Sequence, residues 1–236
     1  MSERISLKQR RAAVTDLGMI EYLPALEIQR RVLDARIQNP DMPDQILLVE
    51  HPPVFTLGKN GGIEHLCVSE TFLKSKGVQT IATTRGGSIT YHGPGQIVLY
   101  LIFDLNHPRI GVSELVHGLE AVMMQTALDF GVHTCRSPQN PGIWAGSSKI
   151  GSIGLGIKKG VTFHGMALNV DLDLTPFSWI TPCGLTGVSM TSLKQETNRC
   201  TGSQHQQTSI SMKSITLRLI NHFSQIFKCE IQTDDI

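Results

Sequence analysis

The stretch KIGSIGLGIKKGVTFHGMALNV, residues 149–170, contains two successive strand patterns, Lys149–Ile157 and Val161–Val170. The clearest helical pattern precedes it at residues 113–130, where apolar side chains recur at three- to four-residue spacing. Ser113 is expected to cap this helix. The middle of the chain therefore predicts strands and helices that pack together in one fold.

Further elements are predicted on both sides of this stretch. They are helices at residues 24–38 and 214–227, and strands at residues 45–50, 54–57, 78–83 and 96–103. Because the strands occur in clusters rather than in strict alternation with helices, the sequence predicts an α/β or α+β fold with a mixed sheet flanked by helices. We expect a basic N-terminal tail at residues 1–13 and one catalytic domain at residues 14–236.

Composition excludes several classes of protein. The 236 residues carry a net charge of +1, which disfavours non-specific binding to nucleic acid or to an anionic membrane. The longest apolar run, Ile97–Phe103, is far shorter than the roughly 20 residues of a membrane-spanning helix. The N-terminus lacks the apolar core of a secretory signal, and the 5 cysteines form no C-x-x-C pair. These features predict a cytoplasmic protein with free thiols.

Three glycine- or proline-containing segments depart from ordinary core patterns. Residues 85–96 read RGGSITYHGPGQ, which suits backbone lying against a ligand but is equally compatible with two tight turns beside a hairpin strand. Residues 146–156 form a glycine-rich stretch without a nucleotide-binding fingerprint, and Lys149 is its single cation. An exposed lysine at a strand start is the simpler interpretation of that residue.

The third segment, residues 181–184, places Cys183 between a proline and a glycine. This setting suits a presented thiol, although most cysteines of this kind are small buried side chains. A free thiol has a pKa of about 8.5, so a nucleophilic Cys183 needs a nearby cation or base. A lysine at about 4 Å would lower the pKa of the thiol, and the two groups would titrate together.

Two histidines offer alternatives to a lysine partner. His92 and His164 lie in the short motifs TYHG and FHG. Each could pair with a cysteine, contribute to a His/His/Cys metal site, or simply form hydrogen bonds within a turn. The sequence shows no metal-binding spacing, so we expect no metal and no cofactor.

Taken together and in order, these segments resemble the lipoyl(octanoyl) transferase family, which moves an octanoyl group from acyl carrier protein to a lysine of lipoyl domains. The resemblance is carried by EHPPVFTLG (50–58), RGGSITYHGPGQ (85–96), PGIW (141–144), KIGSIG (149–154), FHGMALNV (163–170) and PCGL (182–185). One departure is Gly151, which stands where the family commonly has alanine. The resemblance implies a fold like that of lipoate and biotin ligases.

The resemblance also implies the roles of individual residues. Cys183 would form the acyl thioester, and Lys149 would be its partner. The acyl and pantetheine site would be lined by Arg85, Gly86, Gly87, Ser88, Ile89, Thr90, Tyr91, His92, Ser152, Ile153, Gly154, Gly165, Met166 and Ala167. The backbone N–H groups of these segments could form an oxyanion hole.

The same resemblance implies the partners. They are octanoyl-acyl carrier protein as donor, and lipoyl domains of 2-oxoacid dehydrogenase complexes and the glycine cleavage H protein as acceptors. A monomer is expected, with Lys158, Lys159 and Arg109 as candidate contacts for acidic carriers. Two alternatives remain at this point: an ATP-dependent lipoate ligase on the same fold, and a non-catalytic acyl-binding protein.

Overall fold

The computed structural model describes residues 10–138, 140–181, 188–201 and 210–233. The helices in these ranges are α1 (Tyr22–Gln38), α2 (Glu70–Ser75), α3 (Val112–Asp129), α4 (Leu193–Thr201) and α5 (Met212–Phe227), with 3₁₀ helices at Ile63–His65 and Thr175–Trp179. The strands are β1 (Arg10–Met19), β2 (Asp44–Glu50), β3 (Val54–Leu57), β4 (Gln79–Ala82), β5 (Thr90–His92), β6 (Gln96–Ile102), β7 (Cys135–Arg136), β8 (Gly142–Ala145), β9 (Ser148–Lys158), β10 (Val161–Asn169), β11 (Ser189–Met190) and β12 (Cys229–Thr233). None of the helices in these ranges is long and apolar enough to cross a membrane.

Within the described ranges the strands form two sheets. The larger has nine strands, in the order β12-β1-β2-β6-β10-β9-β8-β7 with β11 beside β9, and the smaller has the order β4-β3-β5. Strand β1 is parallel to both β12 and β2, and β11 is parallel to β9, whereas the pairs β2–β6, β6–β10, β10–β9 and β9–β8 are antiparallel. The predicted mixed sheet with flanking helices is therefore confirmed.

Strand β6 shows why its sequence is continuously apolar. All seven of its residues are buried, because helices cover both faces of the large sheet. Leu99 and Leu101 belong to the core that includes residues of α3 and α5, whereas Val98 and Tyr100 belong to the core that includes residues of α1. Burial of each leucine stabilises the fold by about 1.5–3 kcal/mol.

Two boundaries differ from the sequence prediction. Helix α3 begins at Val112 after Gly111, and no side chain caps it, so Ser113 lies inside the first turn and the predicted cap is wrong. Residues 10–13, assigned to the tail, lie in β1 and pair with β12, and Ala12 and Ala13 also pair with β2. The tail prediction therefore extends too far, because the charged residues at the start of β1 obscured its strand pattern.

Charged side chains are buried at the start of β1. Asp44 accepts hydrogen bonds from Arg10 and Arg36, and its Oδ1 also accepts one from Asp104 N at 2.9 Å. Arg36 Nη2 reaches Asp104 Oδ2 at 3.3 Å. The Arg10 guanidinium lies 3.7 Å from the centre of the Phe103 ring. These contacts join β1, α1, β2 and the end of β6.

Candidate active site

A cavity of about 560 Å³ is lined by residues of β6, β9 and β10 of the large sheet, of helices α1 and α3, and of the loop that precedes β5. Of the residues predicted to bind the substrate, the following line it: Arg85, Gly86, Gly87, Ser88, Ile89, Thr90, His92, Ser152, Ile153, Gly154, Gly165, Met166 and Ala167. Tyr91 is not among the described lining residues, and its ring packs instead against Phe55 and Phe177 at 5.3 and 5.6 Å between ring centres.

Small side chains form one wall of the cavity. In β10, Gly165 pairs with Gly154 of β9 and with Tyr100 of β6. Ala167 of the same strand pairs with Ser152 of β9. The loop at Gly86 lies directly on this wall, because its N–H donates to Leu155 O at 2.9 Å. A Cβ at Gly154 would lie 3.0 Å from Gly86 O. Glycine at this position therefore permits the close approach of the loop.

Arg85 holds the loop to the small sheet. Its Nε donates to Thr56 Oγ1 at 3.0 Å, and its Nη1 donates to Gly86 O at 3.0 Å. The residue is 9% exposed. These bonds connect the glycine-rich loop with β3, so Arg85 shapes the cavity as well as lining it.

A chain of buried hydrogen bonds continues from this arginine along the cavity. His92 Nδ1 donates to Gln96 Oε1 at 2.7 Å, and its Nε2 lies 3.4 Å from Thr56 Oγ1. Gln96 Nε2 donates to Asn169 Oδ1 at 2.8 Å, and Asn169 Nδ2 donates to Thr191 O at 2.9 Å. The histidine and glutamine of the YHGPGQ motif thus belong to one polar network.

Lys149 is buried at the start of β9 and lines the same cavity. It is 2% exposed, which contradicts the interpretation of an exposed surface lysine. Its Nζ donates a hydrogen bond to Asn140 Oδ1 and lies 5.7 Å from the centre of the Trp144 ring. Neither contact was predicted from the sequence, although Trp144 belongs to the PGIW motif.

Cys183 lies outside the described residues, within the range 182–187. The described residues on each side of that range contact the lining of the cavity. Thr181 N donates to His65 O at 2.8 Å, and His65 lines the cavity. On the other side, Met190 pairs with Lys149, and Thr191 N donates to Lys149 O at 2.9 Å.

His92 and His164 are both buried in the cavity wall. Burial lowers the pKa of each to about 3, with neighbouring positive charges acting in the same direction. A histidine with so low a pKa is a weak base at neutral pH, which disfavours a Cys/His dyad. No group of three or more potential metal-ligating His, Cys, Asp or Glu residues occurs in the described part of the chain.

Several residues at the cavity were missed by the sequence analysis. Tyr22 of α1 and Tyr100 of β6 line it, and His51 lies behind them. His51 Nδ1 donates to Ile20 O at 2.7 Å, so its Nε2 accepts from Tyr100 OH at 2.7 Å. The alternation of β6 indicated that Tyr100 faces the same side as Val98, but nothing local indicated a cavity there.

We expect the buried histidines to make the fold sensitive to mild acid. A histidine that stays neutral when folded but protonates near pH 6.5 when unfolded lowers the free energy of unfolding as the pH falls below 6.5. Between pH 7 and pH 5 the fall is about 2 kcal/mol for each such histidine. Urea unfolding of the wild type and of His164→Gln at both pH values measures it.

The variant should lose about 2 kcal/mol less stability over this interval than the wild type. His133→Gln, a change at an exposed histidine, is the matched control and should follow the wild type. An identical pH dependence for His164→Gln and the wild type would contradict the neutral, buried state of His164.

Comparison with known proteins agrees with this architecture. Residues 21–224 match the family described as the lipoyl protein ligase A/B catalytic domain. An octanoyltransferase of Desulfotalea psychrophila is 50% identical over 185 residues, covering 78% of this chain and 83% of the relative. The chain therefore spans most of the length of this relative.

Solved structures support the predicted fold. Lipoate-protein ligase A bound with ATP has a TM-score of 0.71 at 15% identity, over 97% of this chain and 89% of that chain. A biotin acetyl coenzyme A carboxylase synthetase from Helicobacter pylori has a TM-score of 0.50 at 9% identity, over 91% of this chain and 75% of that chain. The fold is that of the lipoate and biotin ligases, and the sequence match shows that the chain belongs to the lipoyl protein ligase A/B catalytic-domain family and, within it, to the octanoyltransferases.

Proposed function

We propose that this protein transfers an octanoyl group from octanoyl-acyl carrier protein to a lysine of lipoyl domains, through a thioester on Cys183. The observation that carries the proposal is the buried amine of Lys149 at a glycine-walled cavity. The contacts of Thr181 and Met190 support a position for Cys183 at the same cavity, because Cys183 is only two residues, at most about 7 Å of extended chain, from Thr181.

The shape of the cavity suits an acyl chain. Its volume of about 560 Å³ lies within the range of small-molecule sites, roughly 300–1,000 Å³. Val98, Met166 and Ala167 supply apolar surface, and Gly154 and Gly165 leave room beside the strands. We therefore propose that the predicted substrate-binding residues hold the octanoyl chain and the adjoining thioester.

The first half of the reaction forms the enzyme thioester. Lys149 accepts the thiol proton of Cys183, whose sulfur attacks the thioester carbonyl of the donor. The carbonyl–sulfur bond to the carrier then breaks, and the departing thiolate takes the proton from Lys149. One thioester replaces another, so this half needs no nucleotide.

The second half forms the amide. The amine of the acceptor lysine attacks the Cys183 thioester, the carbonyl–sulfur bond breaks, and one amine proton passes through Lys149 to the cysteine sulfur. An amide is more stable than a thioester, so this half is downhill. The free thiol of Cys183 is restored for the next cycle.

The proposal includes the partners and setting expected from the sequence. The donor and the lipoyl-domain acceptors would meet a monomeric enzyme in the cytoplasm, where free cysteines such as Cys67 and Cys135 stay reduced. Lys158, one candidate contact for an acidic carrier, forms an exposed ion pair with Asp34 at 2.7 Å. Its charge is thus partly neutralised, which makes Lys159 and Arg109 better candidates for that role.

Intact-protein mass spectrometry tests the proposal. After incubation with octanoyl-acyl carrier protein and no ATP, we expect the mass of one octanoyl group to be added to the wild type, and peptide mapping should place it on Cys183. Cys183→Ser should not form this thioester. Subsequent addition of a lipoyl domain should transfer the group from the wild-type protein to the domain.

The alternatives predict other results. Transfer that depends strictly on ATP would indicate a ligase, and transfer retained by Cys183→Ser would exclude the thioester intermediate. Octanoate that is bound but never transferred by the wild type would indicate an acyl-binding protein.

A further inference from the structure

The amine of Lys149 has a buried hydrogen-bond acceptor, Asn140, that also lines the cavity. Lys149 is 2% exposed and Asn140 is 8% exposed, so neither side chain exchanges this contact readily for water. The two residues lie nine positions apart in sequence. The contact therefore depends on how the segment before β8 is folded back over the start of β9.

Helix α3 anchors that segment through the carboxylate of Glu120. Gly142 N donates to Glu120 Oε1 at 2.9 Å, and the other carboxylate oxygen of Glu120 accepts from Arg136 Nε at 2.9 Å. Glu120 is 3% exposed. The backbone two residues after Asn140 is thus bound to a buried carboxylate, which restricts where the amide of Asn140 can lie.

The same segment packs directly on the lysine side chain. Gly142 has a left-handed φ of 130°, and a Cβ there would lie 2.9 Å from Lys149 Cε. Pro141 lies between Gly142 and Asn140 and fixes its own φ. The Asn140–Gly142 segment therefore touches Lys149 both at the stem and at the amine.

We propose that Asn140 is a positioning residue for Lys149, holding its amine at the orientation that proton transfer with the attacking thiol requires. This inference rests on the proposed function. A neutral amine has two N–H groups and one lone pair, so an acceptor on one N–H limits where the lone pair can be directed. An amide oxygen does this without a net charge, whereas a carboxylate would also favour the protonated amine.

Two substitutions separate positioning from packing. Asn140→Ala removes the acceptor, and we expect kcat to fall about 10- to 100-fold because the amine is no longer oriented. The KM for octanoyl-acyl carrier protein should change little, since the loss affects the chemical step. Asn221→Ala, a change at an exposed asparagine of α5, is the matched control and should keep the wild-type kcat.

Asn140→Asp keeps the shape and the acceptor but adds a negative charge. The charge favours the form of the Cys183–Lys149 pair that carries the additional proton, so the acid limb of the pH profile of kcat/KM should move up by about one to three pH units. Activity should recover towards the wild-type value above that limb. Glu120 and Arg136 bind the segment behind this contact, and the other charged or titratable groups among the described lining residues are Tyr22, His65, Arg85, His92, Tyr100 and His164; all of them are unchanged in both variants.

Thermal unfolding shows whether each variant is folded, and the wild-type assay shows whether the protein transfers an octanoyl group at all. If Asn140→Ala proves unfolded, the pH profile of Asn140→Asp still tests the proposal. An unshifted acid limb in folded Asn140→Asp, or a wild-type kcat in folded Asn140→Ala, would overturn it. Failure of the wild type itself to transfer octanoate would instead overturn the proposed function.

Discussion

Replacing Lys149 with methionine is expected to lower kcat for octanoyl transfer by about 10²- to 10⁴-fold, the usual contribution of a positioned acid–base group. Methionine keeps most of the length of the buried stem but removes the amine that donates to Asn140. The substitution leaves the apolar wall of the cavity unchanged, so binding of the octanoyl donor should be retained. Steady-state kinetics and a direct measurement of donor binding separate these two effects.

The control for this substitution is Lys74→Met, which removes an exposed lysine of α2 and should leave kcat unchanged. A second measurement is the rate at which iodoacetamide modifies Cys183, followed by peptide mapping because Cys67 and Cys135 are exposed. This rate should fall in Lys149→Met at neutral pH, since the thiolate is the reactive form. A folded Lys149→Met enzyme with wild-type kcat would exclude a catalytic Cys183–Lys149 pair.

The largest expected loss of stability is at Asp44. Asp44→Ala should lower the free energy of unfolding by about 3–5 kcal/mol, because it leaves two buried arginines without their shared carboxylate. Arg10 and Arg36 both donate to Asp44, and each of the three side chains is about 5% exposed or less. Burial raises the pKa of the Asp44 carboxyl, while Arg10 and Arg36 act in the opposite direction. Urea unfolding at neutral pH measures the loss.

An ion pair on the surface provides the comparison with the buried ion pairs of Asp44. Asp34 forms an ion pair with Lys158 at 2.7 Å, and both side chains are 52% exposed. Asp34→Ala should therefore cost at most about 1 kcal/mol. Equal losses for the two substitutions would show that burial does not set the strength of the Asp44 contacts.

Strong local patterns predicted individual elements well. The spacing of Leu115, Leu119 and Val122 marked α3 to within one residue at each end, because an amphipathic helix repeats its buried face every three to four residues. The first residue was missed because Gly111 occupies the cap position instead of Ser113. Strand β1 was missed because Arg10, a charged residue, occupies a buried position, where the alternation of a strand normally has an apolar side chain.

The sequence predicted where strands occur better than it predicted which strands pair with each other. The pattern at residues 54–57 predicted β3, but its placement in a separate sheet with β4 and β5 depends on contacts with distant segments. The same limit applies to Asn140, whose type and neighbours carried no signal of a lysine partner. The position of Arg85 against Thr56 likewise joins residues that are 29 positions apart.

The sequence by itself determined the family, the order of the glycine-rich motifs, and Cys183 and Lys149 as candidates for the chemistry, because these depend on residue types and local spacing. The tertiary structure decided that Lys149 is buried, that it contacts Asn140, and that small residues of the neighbouring strands β9 and β10 open a cavity beneath the loop at Gly86. It also joined Arg10 to Asp104, 94 positions away. Such contacts depend on the packing of the whole chain, because side chains far apart in sequence approach only when the sheets and helices between them have assembled.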